Sequence, residues 1–194
     1  MIHPKHSLNS LKQKPNPPKT WKYNTNTNNL PLRIASINVC GLKGKKDAIM
    51  DMMKYNKINI LGISETKLNE RNEKFLYHND RKQYKSYFMS GSDKTLGLGT
   101  ELLIDRKYNA YVHKHKGYKG RIYHVDMLMK NHTKLHIIQT YINANHTEKE
   151  QILDLFEYII SLIEDCKKNH SEIIIMGDFN ISFQKYFKDF TSNK

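Results

Sequence analysis

The spacing of apolar residues changes several times along the chain, and each change marks an element. Leu32 to Asn38 (Leu-Arg-Ile-Ala-Ser-Ile-Asn) alternates, the pattern of a strand with one buried face. Residues 45 to 56 place Ala48, Ile49, Met52, Met53 and Tyr55 at helical spacing. Ile58 to Ser64 is a second apolar run of strand length, and Tyr84 to Ser90 alternates again. So does Gly99 to Asp105, after Gly97-Leu98-Gly99. Tyr108 to His115 and Arg121 to Met129 predict two more strands, joined by a turn containing Gly117 and Gly120, and Leu135 to Ile142 predicts another. Thr147-Glu148-Lys149-Glu150 has the form of a capping box. It opens a predicted helix with Ile152, Leu153, Phe156, Ile159, Ile160 and Ile163 on one side, ending near Asn169. Glu172 to Met176 then predicts a short buried strand running into Gly177-Asp178-Phe179-Asn180. Strands interrupted by two helices, with a run of strands between, predict an α/β fold rich in antiparallel sheet.

Before Leu32 this patterning is absent. Residues 1 to 33 hold six Lys/Arg, no Asp or Glu, and all five prolines, while Asn24 to Asn29 is polar and of low complexity. Such a segment buries too little apolar surface to offset the entropy of ordering it. Residues 1–31 are therefore expected to be a disordered basic leader, with one folded domain over 32–194. The whole chain, 194 residues long, carries a formal net charge of +13, and residues 34–194 keep +7 of it. A basic surplus points to a polyanionic partner, nucleic acid first. No apolar run approaches the ~18 residues that span a bilayer. Two cysteines, Cys40 and Cys166, make no disulfide framework and predict a reducing, intracellular compartment. A membrane protein, a disulfide-rich secreted scaffold and a zinc ribbon are all poor readings of this composition.

The chemistry gathers where strands end. Ile34 to Ile37 runs into Asn38, Ile60 to Ser64 into Glu65-Thr66-Lys67, Ile137 to Thr140 into Tyr141, and Ile173 to Gly177 into Asp178-Phe179-Asn180. One Asp or Asn after a buried strand ordinarily caps a turn. Four polar ends of compatible chemistry, if the strands lie side by side, form one rim. Glu65 and Asp178 suit a hard divalent cation with oxygen ligands. Asn38 and Asn180 can donate to phosphate oxygens or offer a carbonyl to the metal. Tyr141 can donate to a developing negative charge. The combination is that of metal-assisted phosphoester hydrolysis.

Asn38-x-x-Gly41, Ser64-Glu65-Thr66-Lys67, Gly120-Arg121, Tyr141 and Gly177-Asp178-Phe179-Asn180, in this order, resemble the endonuclease/exonuclease/phosphatase superfamily. Within it the sequence is most similar to the apurinic-endonuclease-like domain of LINE-type (non-LTR) retrotransposons, over about residues 32 to 182. The resemblance implies a four-layer α/β/β/α sandwich of two mixed sheets, deoxyribonuclease I-like. It implies Mg2+, with Mn2+ as a substitute, held by Glu65 with Asn38 beside it. It implies Asp178 as the residue that positions or deprotonates water, Asn180 and Tyr141 as phosphate and transition-state contacts, and DNA as the partner, in the nucleus where that DNA is genomic. Lys67 and Arg121 are candidate nucleic-acid contacts, Arg121 also a residue that shapes the rim.

The sequence departs from the family pattern in three places. A C-terminal Ser-Asp-His element and the strands around it do not occur in the 14 residues after Asn180, so the fold is expected to be incomplete there and hydrolysis impaired. Residue 143 is Asn where the family carries Pro, and Thr100 and Glu101 occupy a strand where small apolar residues are usual. A Glu in such a strand requires a partner or a solvent-facing position. Two alternatives follow: a catalytically inactive, nucleic-acid-binding fragment of a retroelement, and a phosphatase of the same superfamily.

Overall fold

A computed structural model describes residues 31–90, 98–142 and 148–180. The predicted leader up to residue 30, Asn143, Thr147 and the residues after Asn180 lie outside them. Contacts divide the chain between Pro31 and Leu32, and the sheets and helices belong to the second unit. Among the described residues no helix is long and apolar enough to cross a membrane.

Among the described residues, eight strands form two four-stranded sheets. In the first, β1 (Ile34–Asn38) runs parallel to β2 (Ile60–Ser64), and β2 pairs antiparallel with β4 (Thr100–Asp105), which pairs antiparallel with β3 (Tyr84–Met89). In the second, β5 (Val112–Tyr118), β6 (Ile122–Leu128) and β7 (Lys134–Tyr141) form an antiparallel meander, and β8 (Glu172–Asp178) adds parallel to β7. Each sheet thus has one parallel pair at an edge, and each parallel pair is linked by a crossover carrying a helix, as parallel pairing requires. Those helices are α1 (Lys46–Asn56) and α4 (Lys149–Lys168).

Alternation sorts the side chains into three apolar layers. Ile60, Tyr87, Leu102 and Ile104 of the first sheet meet Tyr123, Val125, Met127 and Ile137 of the second. The opposite face of the first sheet, with Leu61, Ile63 and Leu103, is covered by Ile49, Met50 and Met53 of α1. The opposite face of the second, with Ile122 and Ile138, is covered by Leu155, Ile159 and Leu162 of α4. The architecture is therefore the expected four-layer α/β/β/α sandwich. β2 has a helix on one face and a sheet on the other, so all five of its residues are buried and its sequence reads as an unbroken apolar run.

Polar bridges join the sheets within this core. Ser36 Oγ donates to Gln139 Oε1 at 3.1 Å, and Gln139 Nε2 donates to Ser64 Oγ at 2.7 Å. Gln139 is completely buried, and its amide fits because residue 62 is glycine: a Cβ there would lie 1.9 Å from Gln139 Oε1.

Four points depart from the sequence reading. Tyr108 is not in a strand: Asp105 Oδ1 accepts from the Lys107 N–H at 3.0 Å and caps a short helix, α3 (Arg106–Asn109), so β5 starts at Val112. Gly117 is not in the turn but within β5, where a Cβ would lie 2.6 Å from Met89 Sδ; the tight turn is Lys119-Gly120, both with positive φ. A helix that periodicity did not indicate, α2 (Glu70–Leu76), starts from Asn69, whose side chain accepts from the Asn72 N–H. At α4 the residue preceding the helix is Glu148, which makes no side-chain capping bond.

Glu101 takes the first of the two options open to it. It is completely buried on β4 and accepts hydrogen bonds from Ser86 Oγ at 2.7 Å and Tyr77 Oη at 3.3 Å. Burial outweighs both and pushes its carboxyl up from 4.5 to about 7. The folded state therefore binds a proton that the unfolded chain has released. The associated stability is complete below pH 4.5 and is lost as pH rises through about 7, an effect on the order of 3 kcal/mol. Urea unfolding across that window should show wild-type stability falling with pH, and Glu101→Gln should flatten the decline. An unchanged slope in the variant would refute the assignment.

Candidate active site

The two parallel pairs bring the predicted strand ends together. Asn38 ends β1 opposite Ser64, the last residue of β2, and Tyr141 ends β7 opposite Asp178, the last residue of β8. Across the sheets Asn38 Nδ2 donates to Asp178 Oδ2 at 2.8 Å. The other carboxylate oxygen of Asp178 accepts from the backbone N–H of Asn180 at 3.0 Å. Asp178 thus makes the ordinary turn contact of an Asp after a strand and still presents its carboxylate to the rim.

Glu65 is fixed by its backbone neighbours. Gly41 N–H donates to Glu65 C=O and Leu42 N–H to Thr66 C=O, both at 2.8 Å, while Thr66 and Lys67 donate to Gly99 and Leu98. The segment is thereby held in place between the loop after β1 and the approach to β4. Its backbone is strained: Glu65 has φ 58° and Lys67 φ 53°, with Cys40 at 45° and Asn180 at 49° around the same rim. Left-handed backbone at non-glycine residues costs on the order of 1–3 kcal/mol each and persists where surrounding contacts over-determine it, commonly at functional sites.

The charges are arranged as a polar cluster rather than a core. Lys67 Nζ lies 2.8 Å from Glu65 Oε1. The Lys67 ammonium, opposed by partial burial and helped by Asn38 and Cys40, holds the Glu65 carboxyl below its usual range, so the group is anionic at neutral pH. Tyr141 is displaced the other way. Burial and the Glu65 charge raise its phenol, which therefore stays protonated and able to donate. The Arg121 guanidinium sits 4.9 Å from the Tyr141 ring centre, and only 12 % of its side chain is exposed. It lies under the rim and supports Tyr141, whereas Lys67, with 42 % of its side chain exposed, reaches the surface. Asn180 Nδ2 donates to Ile142 C=O at 2.6 Å, which ties the loop after β8 to the end of β7.

Sequence reasoning overlooked Cys40. Its exposed thiol lies 3.6 Å from both Asn38 Oδ1 and Glu65 Oε2, and its N–H donates to Asn38 Oδ1 at 3.0 Å. The signal was its place between Asn38 and Gly41, where the turn must fold the chain back over the strand end.

The donor set fits a hard divalent cation. Glu65 is an ionised carboxylate, Asn38 offers a carbonyl that retains a lone pair, and Asp178 is adjacent through Asn38. One or two carboxylates with space for water is the arrangement Mg2+ takes in phosphoryl-transfer sites.

No known protein-family profile and no curated protein sequence matches the chain. Solved structures do. Truncated Caenorhabditis elegans TDP2 aligns with a TM-score of 0.58 at 17% identity, over 78% of this chain and 63% of that one. An AP endonuclease from Archaeoglobus fulgidus aligns at 0.53 and 19%, over 78% and 58%. D. rerio TDP2, in complex with a single-strand DNA product, aligns at 0.55 and 14%, over 78% and 61%. The chain spans less than two thirds of the length of these proteins. The neighbours are consistent with the superfamily resemblance, and at such identities what they establish is the fold: this chain is a deoxyribonuclease I-like α/β sandwich.

Proposed function

We propose that this rim is the metal- and phosphate-binding part of a DNA phosphodiesterase, an endonuclease-like domain that uses Mg2+. The observation that carries the reading is the convergence of Glu65, Asn38 and Asp178, from the ends of three strands in two sheets, with Asn38 bonded directly to Asp178. Glu65 and Asn38 hold the cation, with Mn2+ as a substitute. Bound there, the cation offsets charge on the phosphate oxygens. Asp178, oriented through both oxygens, positions water and takes its proton as the water oxygen bonds to phosphorus and the P–O bond to the leaving sugar breaks. Tyr141 and Asn180 donate to the phosphate oxygens as negative charge builds. Lys67 contacts a neighbouring phosphate, and Arg121 keeps Tyr141 in place.

DNA as substrate is supported by the basic composition and by neighbours that include an AP endonuclease and a TDP2 bound to a DNA product. The LINE-type origin rests on the motif series alone. Cys40 and Cys166 are both free, which suits a reducing intracellular compartment.

Supercoiled plasmid incubated with the chain and Mg2+ tests the reading. Metal-dependent conversion to the nicked form is expected, and chelation should stop it. DNA retention that weakens steeply with salt, without nicking under any divalent metal, would leave only a binding fragment. Phosphate release from a phosphoinositide with intact plasmid would move the substrate class to the phosphatases.

A further inference from the structure

A second polar cluster lies away from this rim, between the second sheet and the C-terminal half of α4. His124 and Asp126 share a face of β6, and His136 sits opposite Asp126 on β7. Tyr141 lies five positions beyond His136 on β7, roughly 17 Å along the strand. All three side chains therefore lie on the α4 side of the sheet, in line with Ile122 and Ile138 of the apolar layer. An apolar layer that ends in two buried imidazoles beside a carboxylate requires a reason, because the ring nitrogens lose water on folding.

Internal hydrogen bonding supplies only half of that reason. Tyr158 Oη of α4 hydrogen-bonds His124 Nε2 at 3.1 Å, and His136 Nδ1 lies against Asp126 Oδ1. His124 Nδ1 and His136 Nε2 are buried with no partner, in residues only 8 % and 9 % exposed. The two rings stack 5.0 Å apart, 20° from parallel. The residues border a cavity of about 480 Å³ whose α4 wall includes Asp165 and Cys166.

We propose that His124, Asp126 and His136 bind one divalent transition-metal ion of the zinc class. One donor atom from each residue lies within 4.8 Å of the others. Donors on a tetrahedral Zn2+ are ~3.4 Å apart, so side-chain movements of about 1 Å complete the set. Two nitrogens and one oxygen select zinc, cobalt or nickel over magnesium, which prefers oxygen alone. Tyr158, bonded to the far nitrogen of His124, sets the ring orientation in the way that supporting residues do at metal sites. The remaining coordination position opens to the cavity. This site is independent of the proposed hydrolase rim and uses none of its residues.

Equilibrium dialysis of the full chain against Zn2+, together with the visible spectrum of the Co2+-loaded protein, tests the proposal. One equivalent of Zn2+ and the intense ligand-field bands of tetrahedral Co2+ are expected for the wild type and for Glu65→Gln. His124→Gln and His136→Gln should each weaken binding about 100-fold, and Tyr158→Phe about tenfold. Tyr158→Phe, which leaves all three ligands in place, keeps the test decisive if the histidine variants fail to fold. The proposal is overturned if the wild type takes up no stoichiometric Zn2+, if Co2+ gives only weak octahedral bands, or if Glu65→Gln abolishes uptake while Tyr158→Phe leaves it unchanged.

Discussion

Glu65→Gln is expected to lower Mg2+-dependent plasmid nicking by about 100-fold or more, the scale on which loss of a group that stabilises transition-state charge is felt. The variant should fold. Glu65 is placed by main-chain bonds from Gly41 and to Leu98 and Gly99 through its neighbours, and none of these involves its side chain. The substitution removes the ion pair with Lys67, whose side chain is 42 % exposed, so that pair contributes little to stability. DNA retention should be unchanged or slightly stronger, because a negative charge beside the phosphate path is removed and Lys67 is released. Activity and binding thus move apart, which a general structural lesion would not produce. Asp178→Asn should show the same separation: its single amide oxygen keeps the bond from Asn38, gives up the one from the exposed Asn180 N–H, and cannot take a proton. Nicking by Glu65→Gln at the wild-type rate would remove Glu65 from the metal site.

The strand ends were legible because each is announced by an apolar run that stops at a polar residue. Ile60 to Ser64 is wholly buried, so the break at Glu65 is sharp. Pairing was less legible. Sequence order alone does not reveal that β1 and β8, distant in the chain, form adjoining edges of two sheets, yet it is this apposition that places Asn38 against Asp178. The elements that escaped are those in which side chain to main chain bonds decide the outcome. Asp105 reads as the last residue of a strand and acts as a helix cap. Asn69 starts a helix that lacks a clear apolar stripe. The histidine cluster escaped for a different reason: His124 and Asp126 alternate as strand residues should, and only the register with β7 brings His136 beside them.

Gly177→Ala should be the most damaging small substitution at the rim. Gly177 pairs with Thr140 across the parallel β7–β8 edge and has φ +132°, a conformation L-residues avoid. A Cβ at this position would lie 1.9 Å from the Thr140 carbonyl oxygen and 2.8 Å from the Thr140 backbone N and C. These are main-chain atoms of a central strand, so no rotamer change relieves the clash and the two strands must separate. The expected cost is about 3 kcal/mol or more, read as a lower urea midpoint with an unchanged slope. Gly44 provides the control. It also has positive φ, +76°, but nothing lies within 4 Å of its added Cβ, so Gly44→Ala should carry only the backbone term of about 1 kcal/mol. The difference between the two variants isolates the steric clash. Separation at Gly177 also displaces the next residue, Asp178, and with it the hydrogen bond to Asn38 that joins the two sheets at the rim. Nicking by Gly177→Ala should therefore fall further than its folded fraction does at the assay temperature. A variant as mild as Gly44→Ala, with activity proportional to the folded fraction, would mean that the β7–β8 edge yields to the extra methyl and that the position of Asp178 is not set by Gly177.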